Sequence, residues 1–359
     1  MPDREFRNVL CIRADNMGDV LMASPAIRAL KESFGSRITL LTSKAGSLIS
    51  PYLDCIDDTI VFNLPWVQST GCESDALIAL AADIKNRKFD AAIIFTVYSQ
   101  SALPAATLAF MAGIPMRVAY ARENPYQLLT NWVVDPEPYE QIRHQVERDL
   151  NLVAQLGALP ANDHLRLQIN AAEETSFLQK MESLGIDAGQ PYLIFHPGVS
   201  DKKREYPTEY WVEAGRLVAE KYKIPILITG SEPEKTLAET IANGIAKSAT
   251  SVGAISMAGI FSVGEFACLI DKALCVVSVN TGTIHIAAAM QTPVAVLYAQ
   301  TNPQHTPWKS PHRILPYSVS KHLNSLNVII KYVTDRLYAE DIPTPTPAHI
   351  LLALDGLIG

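Results

Sequence analysis

The chain has 359 residues, 48% of them hydrophobic and 19% charged, with a formal net charge of −7. This composition excludes a disordered chain, and the acidic balance excludes the strong basic excess of a nucleic-acid binder. A single core rarely grows past about 250 to 300 residues, so the length predicts two domains.

The start, MPDREFRNVLCIR, carries charges up to Arg13 and no apolar secretory core, so a cytoplasmic location is expected. Asn8 to Ile12 reads as a short apolar strand, followed by the turn Arg13 to Asp19. Next comes a helix with apolar Val20, Leu21, Ala23, Ile27 and Leu30 and a stop near Gly35. Ile38 to Thr42, Thr59 to Phe62, Ala91 to Thr96 and Arg117 to Tyr120 read as further strands, with a helix from Asp75 to Lys88. Ala91 to Met116 contains no charged residue over a membrane-spanning length. Its Pro104, Gly113, Pro115 and hydroxyls read better as a buried strand, a loop and a core helix. Gln141 to Leu156 is helical, with Val146, Leu150, Val153 and Leu156 on one face and Gly157 ending it.

The same grammar returns after the segment Leu159 to Gln190, read as the interdomain connection plus a helix. Tyr192 to Phe195 and Pro225 to Thr229 are strands, and Thr208 to Lys221 is a helix. Gly230 to Glu234 opens a further helix, running to about Ala246, and Ser262 to Asp271 makes a short one. Leu274 to Val279 is an apolar run broken at Asn280-Thr281-Gly282-Thr283. An alanine-rich helix follows, then a second apolar run after Pro293. Thr281 or Thr283 can cap that helix, and its first N–H groups offer partial positive charge to a phosphate. Periodicity is lost after Tyr298, and Pro347 to Leu357 forms a last apolar helix that must dock on the body. Strands alternating with helices in both halves predict two doubly wound parallel sheets with a cleft between them and ligands at the carboxyl ends of the strands. The expected domains are 1–165, a linker and helix at 166–190, 191–340 and a C-terminal helix at 341–359.

The five cysteines, Cys11, Cys55, Cys72, Cys268 and Cys275, form no Cys-x-x-Cys pair. Three lie in apolar runs, where a buried free thiol in a reducing compartment is the plain reading. Gly-x-Gly, a P-loop, Gly-x-Ser-x-Gly, His-Glu-x-x-His and Asp-x-Asp are all absent, which points to a phosphate site without a metal or resident cofactor. Polar clusters at strand ends remain. Asp19, after Met17 and the permissive Gly18, is commonly a helix cap, or else a carboxylate able to take a proton from a hydroxyl. Ser200-Asp201-Lys202-Lys203-Arg204 is either a solvated charged face or a clamp on a diphosphate. Glu234 is a dipole-favourable surface charge or an acceptor for ribose hydroxyls. His285 gains a functional reading from its neighbours Asn280, Thr281 and Gly282.

Taken in order, these stretches resemble the bacterial heptosyltransferase family, glycosyltransferase family nine. Arg13 to Pro25 resembles its Met-Gly-Asp-Val/Ile-Leu motif, and His144 to Gly157 its His-x-Val-x-Arg-x-Leu helix. His196 to Trp211 resembles the donor loop, Asn280 to Ala288 the Asp-Thr/Ser-Gly-x-x-His-x-Ala-Ala signature, and Thr301-Asn302-Pro303 the following Thr-Asp-Pro. The resemblance implies a GT-B fold of two Rossmann-like domains, with the acceptor bound to the first, 1–165, and the nucleotide sugar to the second, 191–340. It also implies an inverting, metal-independent transfer, typically of heptose from ADP-heptose to a lipopolysaccharide inner-core sugar. Asp19 then falls on the family's general base, with Met17 and Gly18 on the acceptor side. Ser200, Lys203, Arg204, Glu234, Asn280, Thr281, Gly282, Thr283 and His285 fall on the donor side. Asn280 stands where the family usually has Asp, Arg204 where many members have Lys, and Tyr206 where Trp is usual, which implies an altered donor pocket.

The partners expected are a nucleotide sugar and a glycan, glycolipid or small-molecule acceptor, with no nucleic acid and with peripheral contact at the inner membrane face. A nucleotide-sugar epimerase or hydrolase would need an acid/base pair at the donor sugar, where only His285 is well placed. A non-catalytic nucleotide-sugar binder would have no use for Asp19.

Overall fold

The structure is a computed structural model and describes residues 6–67, 72–247, 253–320, 323 and 325–359. Residues 1–5, the charged start of the stretch read above as lacking a secretory core, lie outside them. The chain forms two compact units, Met1–Leu165 and Arg166–Gly359.

In the first unit the elements are β1 (Asn8–Ile12), α1 (Met17–Phe34), β2 (Arg37–Thr42), α2 (Lys44–Ser47), β3 (Asp58–Val61), α3 (Ser74–Asn86), β4 (Ala91–Ile94), α4 (Leu103–Met111), β5 (Met116–Ala121), β6 (Asn131–Val134) and α5 (Gln145–Ala154). The six strands pair in parallel in the order β3-β2-β1-β4-β5-β6. The central strands are near-continuous apolar runs because helices cover both faces of such a sheet. Leu10, Ile12, Ala92, Ile94 and Ala119 are among the buried core. Strand order reverses between β1 and β4, which opens a crevice at their carboxyl ends.

The second unit holds α6 (Ala171–Ser183), β7 (Leu193–His196), α7 (Thr208–Tyr222), β8 (Ile226–Ile228), α8 (Lys235–Ala246), β9 (Ala254–Ser256), α9 (Val263–Asp271), β10 (Cys275–Val279), α10 (Gly282–Met290), β11 (Val294–Ala299), β12 (His312–Tyr317), α11 (Val328–Leu337) and α12 (Pro347–Ile358). Its parallel sheet runs β12-β11-β10-β7-β8-β9, the same topology as the first, with the reversal between β7 and β10. The apolar terminal helix docks on α7. Ile350, Ala353 and Leu354 join the core, and Asp355 accepts from Lys221 Nζ at 2.5 Å and Tyr222 Oη at 2.7 Å.

Several expectations change in detail. The charge-free span from Ala91 divides into β4, a loop and α4, and no helix among the described residues is long and apolar enough to cross a membrane. The helix expected from Gln141 begins only at Gln145, because His144 caps it: its Nδ1 accepts from Val146 N at 3.1 Å. Gly18 lies within α1 and is not among the glycines with positive φ, so it supplies no unusual backbone angle, whereas Gly35, at φ 63°, ends that helix as expected. Strands β6, β9 and β12 and helix α11 are elements that the apolar pattern did not announce. β6, β9 and β12 lie at sheet edges, and β12 carries Pro316, which an edge position tolerates. All five cysteines are free thiols. Cys72 is half-buried, and burial pushes the Cys55 and Cys275 thiols up to about 12.

Candidate functional site

In the first unit the chain leaves β1 at Arg13, whose side chain is fully buried at the strand-order reversal. Its Nη2 donates to Asp19 Oδ1 at 2.9 Å, and its Nε lies 3.3 Å from Asp15 Oδ2. Asp19 is the third residue of α1, and its other oxygen accepts from Asn16 N at 3.1 Å. The reading of Asp19 as a first-turn carboxylate therefore holds geometrically, and Met17 and Gly18 flank it on the same turn. Asp15 in turn accepts from Gln100 Nε2 at 2.6 Å, which ties the segment after β1 to the segment after β4. Burial raises the Asp15 carboxyl despite Arg13 and that hydrogen bond. Arg13 itself is held charged, since Asp15, Asp19 and Asp149 outweigh the cost of burying it.

Behind this pair sits a buried polar layer contributed by α5. Arg148 makes a two-pronged bridge to Asp135 at 2.7 and 2.9 Å, donates from Nε to the Thr96 carbonyl at 2.9 Å and stacks on Tyr120 with its guanidinium 4.4 Å from the ring centre. Glu137 Oε2 lies 3.3 Å from Arg148, and Arg122 reaches Asp135 at 3.1 Å from the other side. Asp149 accepts from Gln145 Nε2 at 2.8 Å, and burial pushes its carboxyl up to about 7 against the pull of Arg13 and Arg148. The expected apolar face of this helix, Val146, Leu150, Val153 and Leu156, is fully buried only at Val146 and Val153. Gln145, Arg148, Asp149 and Leu152 are buried as well, and their i, i+3, i+4, i+7 spacing was the available signal for an inward polar face.

In the second unit the corresponding reversal lies between β7 and β10, and it brings the cationic turn to the start of α10. Lys202–Arg204 form one turn of 3-10 helix, capped by Asp201, which accepts from Lys203 N at 3.1 Å. Lys203 Nζ leans back to 3.8 Å from the same carboxylate, and Ser200 is exposed on the loop. Arg204 Nη1 donates to the Asn280 carbonyl at 3.0 Å. Two polar atoms of these turns are buried without a hydrogen-bond partner: Arg204 Nε and Thr281 Oγ1. Thr281 occupies the N-cap position of α10, yet its side chain makes no capping bond, which leaves the hydroxyl to whatever binds there. Gly282 and Thr283 supply the first two helical N–H groups, and His285, buried in the first turn, stacks edge-on to His305 at 6.3 Å.

Glu234 lies on the neighbouring strand end. Its Oε2 accepts from Ser231 N at 2.6 Å and Ser231 Oγ at 2.8 Å, and its carboxylate lies over Gly198, where a Cβ would fall 2.2 Å from Oε1. A side chain at 198 would displace Glu234. Beneath it, His196 Nδ1 sits 2.9 Å from Thr229 Oγ1, and burial lowers that imidazole to about 4 although Glu234 opposes the shift.

Two departures from the family pattern take a different meaning here. Asn280 is buried, and its amide bridges β10 to β11: Nδ2 donates to the Ala299 carbonyl and to Thr301 Oγ1, both at 3.1 Å, while Oδ1 accepts from Ala299 N at 3.2 Å. Its side chain is thus engaged by the sheet. Tyr206, expected to alter the donor pocket, is instead a core residue. It packs edge-on to Trp211 at 5.5 Å, and its hydroxyl donates to the Pro345 carbonyl at 2.7 Å. Tyr317, which no sequence signal singled out, donates to the Arg204 carbonyl at 2.8 Å and so fixes the cationic turn from β12. Among the described residues no group of His, Cys, Asp and Glu side chains is arranged to hold a metal ion.

A sequence profile of glycosyltransferase family 9 (heptosyltransferase) matches residues 77–332. Lipooligosaccharide heptosyltransferase 2 of Haemophilus influenzae is 25% identical over 228 residues, a match spanning 61% of this chain and 63% of that protein, less than two thirds of its length. Among solved structures, a family 9 glycosyl transferase from Veillonella parvula superposes with a TM-score of 0.78 at 16% identity, covering 99% of this chain and 98% of that one. The E. coli heptosyltransferase WaaC with ADP-2-deoxy-2-fluoro heptose superposes at 0.64 with 20% identity, covering 92% and 99%. These likenesses establish the GT-B type of fold.

Proposed function

The chain belongs to glycosyltransferase family 9, the heptosyltransferase family, and from that premise we propose that it moves heptose or a related sugar from an ADP-sugar to an acceptor hydroxyl, inverting the anomeric centre without a metal. The observation that carries the donor half is the pair of unpartnered buried atoms, Arg204 Nε and Thr281 Oγ1, at the N-terminus of α10. An unpaired guanidinium N–H, a hydroxyl and the helix's first N–H groups together suit a diphosphate. The WaaC structure holding an ADP-sugar analogue supports the choice of nucleotide.

In this reading Asp19 takes the proton from the acceptor hydroxyl as that oxygen attacks the anomeric carbon. The bond from that carbon to the diphosphate oxygen breaks, and ADP leaves with the electron pair. Arg204, Thr281 and the α10 N–H groups hold the charge growing on the leaving phosphate, each contributing about 2 to 4 kcal/mol to the barrier by analogy with oxyanion donors. Glu234 takes the ribose hydroxyls, and His285 packs at the phosphate end. Arg13 and Asn16 keep Asp19 ionised and oriented, at some cost to its basicity. The acceptor is a sugar of a lipopolysaccharide or lipooligosaccharide core, in keeping with the name of the Haemophilus relative, and the enzyme works as a peripheral protein where that glycolipid meets water.

Nucleoside-diphosphate release from ADP-heptose, with core glycolipid as acceptor, tests the assignment. Asp19→Asn should bind ADP as the native chain does and lose transfer by about 100-fold or more. Undiminished transfer in that variant would overturn the role of Asp19.

A further inference from the structure

Arg13 is a single buried cation facing three carboxylates. Asp15 reaches it from the segment after β1 at 3.3 Å and Asp19 from α1 at 2.9 Å, while Asp149 acts on it from α5, which packs against α1. Its Nη1 is buried without a hydrogen-bond partner, and so are Asp149 Oδ2 and Gln145 Oε1 on α5, whose Gln145 Nε2 donates to the Thr96 carbonyl just past β4, the strand paired with β1. Gln100, after β4, meets this group through Asp15, and Arg148 on α5 is a second cation acting on Asp149. Arg148 is itself engaged by Asp135 and Glu137.

We propose that Asp149 is a positioning residue for the transfer, acting on Asp19 through the charge of the buried Arg13 guanidinium, which bonds Asp19 directly. The proposal rests on Asp19 being the base. One cation cannot neutralise Asp15, Asp19 and Asp149 at once, and the low-dielectric site makes that competition strong. While Asp149 carries its proton, Arg13 belongs to Asp15 and Asp19, and Asp19 is a weak base. When Asp149 ionises it draws on the same guanidinium and adds a like charge, and the proton affinity of Asp19 rises. Burial holds the Asp149 carboxyl near 7, which places this change at neutral pH. The proton moves between Asp149 and solvent, and no oxidant or further reactant enters.

The test is a carboxylate titration by NMR on the full chain labelled with 13C at aspartate Cγ, in the native protein and in Asp19→Asn, with the Asp149 signal assigned from Asp149→Glu. A buried aspartate titrating near neutrality is expected, its midpoint falling by about half a unit or more in Asp19→Asn because a neighbouring negative charge is gone. A midpoint unmoved by that substitution, or an Asp149 ionised throughout the range from pH 5 to 8, overturns the proposal. This readout needs no substrate, so it is separable from a failure of the base assignment. In turnover, kcat should rise about 3-fold across neutrality, and Asp149→Asn should flatten that step while leaving KM for ADP-heptose unchanged. A step that persists in Asp149→Asn also overturns it.

Discussion

Arg204 donates through Nη1 to the carbonyl oxygen of Asn280 at 3.0 Å, which ties the turn after β7 to the turn after β10 across the strand-order reversal. Arg204 Nε is buried with no hydrogen-bond partner, and so is the hydroxyl of Thr281, the residue after Asn280. Arg204→Ala should therefore weaken ADP binding by about 10- to 100-fold, since a charge-assisted hydrogen bond is worth about 1.5 to 3 kcal/mol. Titration calorimetry with ADP measures this, and an affinity within twofold of the native value would remove Arg204 from the site.

Tyr317 acts on the same turn from behind, through its 2.8 Å hydrogen bond to the Arg204 carbonyl. Tyr317→Phe keeps the ring in the aromatic cluster with Tyr206 and loses the hydroxyl's bonds to the Arg204 carbonyl and, at 3.5 Å, to the Glu205 carbonyl. ADP affinity should fall about 3- to 10-fold, the scale of one neutral hydrogen bond. If ADP binds as before, the cationic turn is held by Asp201 and by the bond from Arg204 to Asn280, and Tyr317 has no part in its placement.

The Asn280 amide gives a prediction opposite to the one its family position suggests. An aspartate there could still accept from Ala299 N, yet it would set a carboxylate oxygen against the Ala299 carbonyl, where Nδ2 now donates at 3.1 Å. Asn280→Asp should lower stability by about 1 to 3 kcal/mol at neutral pH, and by less at pH 4, where the carboxyl regains a proton to donate. Denaturant unfolding at both pH values checks it; equal midpoints for variant and native chain would mean that the bridge from β10 to β11 carries little.

His196 supplies a pH dependence of its own. Burial depresses its imidazole to about 4, below the ordinary value of 6.5. The folded state therefore binds a proton less readily than the unfolded one. The stability associated with the neutral ring is full above about pH 6.5 and is lost as pH falls from there toward 4. His196→Gln keeps a polar side chain beside Thr229 without a titrating ring, and its thermal midpoint should fall less between pH 7.5 and 4.5 than that of the native chain. Parallel curves for the two proteins would show that the ring is not buried neutral.

Much of this was legible in the sequence because it is local. Val9 to Ile12 and Cys275 to Val279 are apolar runs bounded by polar turns, and Gly35 marks a left-handed helix end. Asp19 and Thr281 fall where helix starts take such residues. Each of these depends on neighbours within a few positions. The parallel α/β class, the strand-end clusters and the family motifs all follow from signals of that range.

Tertiary structure decided the rest, because the deciding partners lie far along the chain. Arg204 and Asn280 are 76 residues apart, and Tyr206 and Pro345 are 139 apart. The strands β6, β9 and β12 needed a neighbouring strand to complete their hydrogen bonds, and their short edge sequences carry little apolar pattern. The family position of Asn280 implies a missing negative charge, whereas its amide bridges two strands, and Tyr206 lies in the core although its place in the donor loop implies a pocket residue. The sequence by itself determined which polar groups stand at the strand ends. Which of them are satisfied by the sheet and which are left to meet a ligand is decided by burial and hydrogen bonding in three dimensions.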